Sequence, residues 1–386
     1  ILKKKMDVIT MLKSIQPPTL DALWIQLGIV VYCVIATIVL PGTWKQGVPL
    51  KDGSRIWYKL NALAVILVSI VLFFLTTKQV TPFSSFAFFD GAYIFNHYGE
   101  MLTTSVLLNA FLSLLLFLRA ELFLPRDNVN YNPQSKNMLV NYWAGVELNP
   151  VIYGFEIKEF WYRPGFVLWM LIDASALIAQ YESYNMISLP MMMFQLIAFI
   201  YTVDAFVYEE GVILMFDIIE ENFGFMLCWG DYTWIPFVFS LPSLYCLDRL
   251  SMSIIETLLI ASCFTLGYII FRGTNDQKAQ FKKNPNKPIW GKKPETIDSP
   301  AGRKLLVSGW WGIARKINYL GDILIAISMT AASGYTFVVP HLYPIYLTLL
   351  LIDRARRDNA RCQVKHKEAW TEYCNRVPYC IIPYVY

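Results

Sequence analysis

The sequence predicts an all-α, polytopic membrane protein: a bundle of about ten transmembrane helices, with a C-terminal pocket that faces the cytosol. Three observations predict it. Charged residues make up 16% of the 386 positions, against roughly 25% in ordinary soluble domains. Hydrophobic residues reach 56%, and the mean hydropathy is +0.42. The apolar residues also gather into runs long enough to cross a bilayer, which takes roughly 20 residues per helix. A chain of this length is therefore read as one bundle rather than as two or three soluble domains.

Residues 23–40 form the first span, stopped by Pro41-Gly42. Lys3, Lys4 and Lys5 precede it, which gives it the look of an uncleaved signal anchor. Residues 61–77 form the second span. The aromatic stretch 79–100, with Pro82 and Gly91, suits an interfacial or re-entrant segment. Residues 101–118 make the third span. In the polar connection 119–164, Asn149-Pro150 and Pro164-Gly165 predict turns. Spans at 166–180 and 186–203 follow.

The region 207–247 is apolar but carries Glu209, Glu210, Asp217, Glu220, Glu221 and Asp231, with Gly224, Gly230, Pro236 and Pro242 interrupting it. Acids and helix breaks at membrane depth are tolerated where they line a cavity or a buried site. Loops account for some of these acids, but least readily for Asp231, which lies between Trp229 and Trp234. A further span at 254–271 leads into a basic segment, 272–304, whose Asn-Pro, Lys-Pro and Ser-Pro pairs predict irregular structure. Residues 320–337 and 342–352 read as two hairpinned spans broken at Pro340, and a basic, then aromatic tail closes the chain. The expected division is 1–271 for an N-terminal transmembrane region, 272–304 for a cytosolic loop and 305–386 for a C-terminal binding region. The basic loop and the Arg354 to Arg357 cluster face the cytosol by the positive-inside rule, as do both termini. The loop carrying Lys45, Lys51, Arg55 and Lys59 fits that rule poorly.

The seven cysteines are odd in number and form no C-x-x-C pair, so they read as reduced packing residues. The three histidines are far apart and form no H-E-x-x-H pattern, so no metal site is expected.

The residues most open to chemistry lie where the basic segment meets the last spans. Lys278 and Lys282 are four apart, so one turn of helix aims both at one point. Arg315, Asn318, Tyr319 and Asp322 share one face if 309–322 is helical. Arg354, Arg357, Asp358, Arg361 and Lys365 line one side of the helix after the final span, with Tyr373 further on. Cations gathered at a pocket mouth suit a ligand with several phosphates. The plainer reading of each cluster alone is lipid-headgroup contact or topology setting, and Asp358 could simply pair with Arg354 or Arg361. There is neither a G-x-G-x-x-G nor a P-loop sequence, so those two folds do not hold the ligand.

Several motifs in a fixed order carry a resemblance. They are Leu40-Pro41-Gly42, Leu50-Lys51-Asp52-Gly53, Tyr58-Lys59-Leu60-Asn61, Glu147-Leu148-Asn149-Pro150, Arg163-Pro164-Gly165, and Asn222 to Leu227 with Gly230-Asp231. Gly309 to Asp322, Arg357-Asp358 and Arg376-Val377-Pro378-Tyr379 complete the series. With these motifs the chain resembles, over most of its length, the sterol reductase family: the sterol C-14 and C-7 reductases, the fungal C-24(28) reductases and the lamin B receptor. The Lys-Asp-Gly loop and the Asn-Tyr-Leu-Gly-Asp form are most similar to the C-14 branch. The resemblance implies an endoplasmic reticulum enzyme, in a membrane continuous with the nuclear envelope. It would reduce the C14–C15 double bond of a sterol intermediate with NADPH, by protonation of the alkene and then hydride transfer. Sterol and membrane lipids are the implied partners, and no nucleic acid.

Carried onto matching positions, the implied cofactor contacts are Lys278, Lys282, Leu306, Trp311, Asn318, Tyr319, Asp358, Cys362, Lys365, His366 and Tyr373. Lys278 and Lys282 suit the phosphates, and Trp311 could stack on a flat ring. The proton donor would be Tyr319 or a carboxylic acid such as Asp322 or Asp231. Several positions depart from the family pattern. Lys282 stands for the usual arginine, Lys316 for a histidine, His366 for a tyrosine and Cys380 for an arginine, while Phe239 and Pro242 fill tyrosine and glutamine slots. A C-7 or C-24(28) reductase is the alternative within the family. A membrane methyltransferase of the isoprenylcysteine carboxyl methyltransferase type is the alternative outside it, and a structural protein like the lamin B receptor is a further one. Oligomeric state is not legible.

Overall fold

The computed structural model describes residues 16–80, 87–302 and 304–385, so Lys3 to Lys5 and Pro82 lie outside the described residues. The structure is helical, with two-stranded hairpins between helices, and it divides into two compact units, Ile1–Leu250 and Ser251–Tyr386.

The first unit is built on α1 (Leu20–Val39), α2 (Ala62–Thr76), α3 (Tyr98–Phe123), α4 (Ile157–Tyr184) and α5 (Leu189–Val207). Hairpin β1 (Thr43–Gln46) and β2 (Trp57–Leu60) joins α1 to α2, and β3 (Val151–Ile152) with β4 (Phe155–Glu156) leads into α4. The caps follow from the sequence: Thr19 accepts from the Ala22 amide, Glu156 from those of Lys158 and Glu159, and Ser188 from that of Met191. Helix α4 is the hub. It is buried along most of its length and packs on α1, α2, α5 and the broken helical pieces of 216–246.

Arg163-Pro164-Gly165, expected in a turn, lie inside α4 instead. Two tertiary interactions override the turn signal. Arg163 is held by carboxylates on either side, and a Cβ on Gly165 would stand 2.0 Å from the Asp231 carbonyl oxygen, so only glycine lets the two backbones meet.

The second unit contains α6 (Ile254–Lys283), α7 (Ile317–Ala331), α8 (Leu342–His366) and α9 (Glu368–Arg376), with a hairpin of β5 (Thr296–Asp298) and β6 (Lys304–Leu306). Ser253 and Glu256 open α6 with the capping-box spacing. Helices α6 and α7 lie tightly together, because Gly267 and Gly321 remove the side chains that would part them. A Cβ on Gly321 would meet the Phe271 amide nitrogen at 2.6 Å.

Among the described residues five helices, α1, α3, α4, α5 and α6, are long and apolar enough to cross a membrane, and α2 and α7 are shorter apolar helices. The chain is a multi-pass membrane protein. The expected count of about ten is not reached by this measure, for two physical reasons. Region 207–247 breaks into short helical pieces at its glycines and prolines, and the last apolar run merges into α8, whose second half is charged. The segment 272–283, expected to be irregular, continues α6, since no proline occurs before Pro285. All seven cysteines are free.

Candidate functional site

In the second unit the predicted residues form three adjoining groups. The first surrounds Trp311. Lys278 and Lys282 do sit one turn apart on α6. The Lys278 Nζ lies 4.1 Å from the centroid of the Trp311 ring, and the indole Nε1 donates to the Thr274 carbonyl, 3.0 Å away on the same helix. Tyr373 donates its hydroxyl to the Trp311 carbonyl at 3.0 Å. Leu306, Phe281 and Trp311 pack in one cluster, and Gln277 receives the Trp310 amide at 2.9 Å. The turn Gly309–Gly312 can make this approach because Gly309 adopts φ +63°, where a side chain would strike Gln277. Trp311 is thus buried, with the Lys278 ammonium over its ring.

The second group is Lys316, Asp358 and Cys362. Lys316 and Asp358 form a close ion pair, and the Cys362 Sγ lies 3.9 Å from Asp358 Oδ2. Burial alone would raise the Asp358 carboxyl, but Lys316, Lys278 and Arg361 outweigh it and hold the group below the usual carboxylate range. Conversely, burial works against the Lys316 ammonium, and Asp358 restores it to above its ordinary value. Lys282, Lys316, Asp358 and Cys362 all lie within electrostatic reach of Lys278. Sequence reasoning noticed Lys316 only as a departure, although its position two residues before Asn318 was the available signal.

The third group is on α7. Asn318, Tyr319 and Asp322 share its first turn and a half. Asn318 Oδ1 and Asp322 Oδ1 are buried and accept no hydrogen bond among the described residues. Arg354 and Arg272 act on the Asp322 carboxylate. Tyr319 packs beside Ile323, Leu351 and Ala355.

Arg315 is not on this face. The helix begins only at Ile317, and the Arg315 guanidinium reaches the carbonyls of Val377 at 2.7 Å and Pro378 at 2.9 Å. His366 is turned to structure as well. Its Nδ1 lies 2.5 Å from Ser299 Oγ and its ring stacks on Trp370, so it ties the end of β5 to α8. Lys365 is exposed, and Tyr373 is buried among Ile297, Val307 and Trp370.

Asp231 belongs to the other unit. It sits in a single π-helical turn, Gly230–Trp234, the kind of local widening that recurs at functional sites. It is buried, its Oδ2 accepts no hydrogen bond among the described residues, and Asp217 and Lys158 are its charged neighbours. Phe239 packs edge-on against Trp169 with centroids 5.2 Å apart, and Pro242 opens a short buried helix. Both act as apolar packing.

With this geometry in hand, the comparisons with known proteins are decisive. The family model "Ergosterol biosynthesis ERG4/ERG24 family" matches residues 3–386. The chain belongs to this family. It is 36% identical to the Delta(14)-sterol reductase of Arabidopsis thaliana over 372 residues, covering 96% of this chain and 97% of that protein. It is also 34% identical to the Delta(14)-sterol reductase of Methylotuvimicrobium alcaliphilum, over 90% of this chain and 79% of the relative. For the Delta(14)-sterol reductase TM7SF2 of Mus musculus the identity is 36%, over 94% of this chain and 84% of the relative.

A dinucleotide phosphate cofactor was the group implied for the second unit, and the residues present fit one. Lys282, Lys316 and Asp358 all act on Lys278 there, three lysines to one carboxylate, a surplus of positive charge suited to phosphates. The buried, unpartnered Asn318 Oδ1 is an acceptor waiting for a donor, as a carboxamide N–H would be.

Proposed function

We propose that this chain is an NADPH-dependent Δ14-sterol reductase of the endoplasmic reticulum membrane. The observation that carries the reading is similarity over at least 90% of this chain to relatives from a plant, a bacterium and a mammal, each named a Delta(14)-sterol reductase. The lysine-rich cluster of the second unit and the orphaned acceptor on α7 support the cofactor part.

Lys278 and Lys282 would hold the cofactor phosphates, with Lys278 steadied by the Trp311 ring beneath it. Asn318 would orient the carboxamide end. NADPH, when bound, supplies a hydride. Reduction of C14=C15 also needs one proton, so the sum is one proton and one hydride added across the alkene. Tyr319 is the proposed proton donor, since a phenol keeps its proton at neutral pH, with Asp322 and Asp231 as the carboxyl alternatives. Asp358 is paired with Lys316 as a carboxylate and acts as an anchor that fixes the lysine cluster. Donor and cofactor sites on short, packed helical turns meet the general requirement that reacting groups be held in place before the chemistry.

The test is turnover by the purified full chain in nanodiscs, given NADPH and sterols bearing 14,15, 7,8 or 24(28) double bonds. Selective loss of the 14,15 double bond is expected. Reduction of another bond instead would move the chain to a different branch, and absence of any reduction by folded protein would overturn the reading.

A further inference from the structure

A cleft of about 320 Å³ in the second unit is lined by none of the residues assigned above to cofactor or catalysis. Arg315, Arg356, Asn359, Tyr379 and Val385 are among its lining residues, and no carboxylate lines it. The Arg315 guanidinium is fixed in place: its Nη1 donates to the carbonyls of Val377 and Pro378, while the amides of Arg315 and Lys316 donate to those of Tyr379 at 3.0 Å and Cys380 at 2.7 Å. The remaining guanidinium N–H groups make no hydrogen bond among the described residues. Asn359 Oδ1 accepts from the Trp370 indole N–H at 2.9 Å, which leaves its NH₂ as a donor. Arg356 is exposed at the cleft's edge.

The position of the cleft along α8 says which anion it meets. The first half of this helix is apolar, with Ile345 and Leu349 exposed one turn apart on the same side. The lining residues Ala355 to Asn359 follow Ile352 by three to seven positions, a rise of about 4–10 Å at 1.5 Å per residue. Headgroups occupy roughly the first 5–8 Å beyond the hydrocarbon on each side of a bilayer. The neighbouring tail exposes Ile382, Tyr384 and Val385, with Tyr384 packed on Tyr379 at 5.1 Å between centroids. An aromatic and aliphatic rim around fixed cations matches the amphipathic zone at the membrane surface.

We infer that the cleft framed by Arg315, Arg356 and Asn359 binds a phosphate ester anion, supplied by the headgroup of an anionic phospholipid. Two guanidinium groups present paired N–H donors to phosphate oxygens, and the tail residues cover the acyl end of the same molecule.

The test uses the full chain purified in detergent. Native mass spectrometry follows titration with phosphatidylglycerol and with phosphatidylcholine, and a second arm adds inorganic phosphate or glycerol phosphate as competitor. One phosphatidylglycerol per chain is expected, bound at least tenfold more tightly than phosphatidylcholine. Arg356→Gln is expected to weaken it at least fivefold with an unchanged melting temperature, and Arg356→Glu to weaken it further. Efficient displacement by glycerol phosphate would keep the phosphate site and overturn the lipid as its source. Equal binding of both lipids, or binding indifferent to both Arg356 variants, would overturn the site itself.

Discussion

The two units bury charge in opposite ways. In the first, Arg163 is enclosed by acceptors: Glu159 at 2.8 Å, Glu209 at 3.0 Å and the Lys59 carbonyl at 2.6 Å, with Glu209 also taking the Ala62 amide at the start of α2. Lys158 is likewise spent on the carbonyls of Ile218 and Glu221. In the second unit, Lys278 lies over the Trp311 ring with Lys282, Lys316 and a single carboxylate, Asp358, acting on it. A closed network stabilises a fold, whereas a surplus of one sign in a half-enclosed place is suited to a ligand of the other sign. The pair of regions therefore sets charge spent within the fold against surplus charge, the proposed binding charge, in one chain.

That separation can be broken most severely at Arg163. Arg163→Ala strands two buried carboxylates, and losing one partner of a buried pair costs about 3–5 kcal/mol. The expected result is poor yield or a greatly lowered melting temperature in detergent, with no rescue by NADPH. Gly165→Ala should rank next, because its new methyl meets the Asp231 carbonyl, and overpacking costs roughly 1–3 kcal/mol. A melting curve indistinguishable from wild type would contradict the close approach.

The binding side predicts the reverse pattern. Lys278→Gln or Lys282→Gln should weaken NADPH binding about tenfold, the scale of one charge-assisted contact, while melting shifts little. Titration calorimetry on the folded variants checks both halves. Tyr319→Phe should lower kcat for sterol reduction with little change in cofactor affinity, and unchanged kcat would pass the donor role to Asp322 or Asp231.

The smallest expected effect concerns pH. With its folded value held below the unfolded one, Asp358 contributes stability above the usual carboxylate range and loses it only as pH falls through the lowered folded value. Melting near pH 5 should therefore resemble that near pH 7 as far as this group is concerned. In Lys316→Gln the strongest of the three cations is gone, so the folded value should rise and the acid loss of stability should set in at a higher pH than in the wild type. A profile identical to wild type would show that Lys316 does not hold the carboxylate.

How much the sequence revealed follows from the range of the forces involved. The Lys278–Lys282 pair was legible because helical spacing is a local property, and nothing breaks α6 before Asn284. Arg315 was misplaced because its partners, the carbonyls of Val377 and Pro378, are sixty residues away. Pro164 read as a turn because its compensation, the backbone of Asp231 against Gly165, is equally remote. His366 and Trp311 were recognised as part of the region, but their use in tying β5 to α8 and in seating Lys278 depends on packing that no spacing encodes. The long apolar helices were legible from composition, and the broken helical course of 207–247 was foreshadowed by its glycines and prolines.

The measurement that tests the account most directly is NADPH binding by calorimetry to the full chain in nanodiscs, at low and at high salt, beside the Lys278→Gln/Lys282→Gln double variant. The account predicts one site per chain whose affinity falls with added salt, and at least a tenfold further loss in a double variant that melts like wild type. Binding that ignores both salt and the two lysines, or no binding to folded wild-type protein, would contradict the assignment of the second unit's surplus charge to a phosphorylated cofactor.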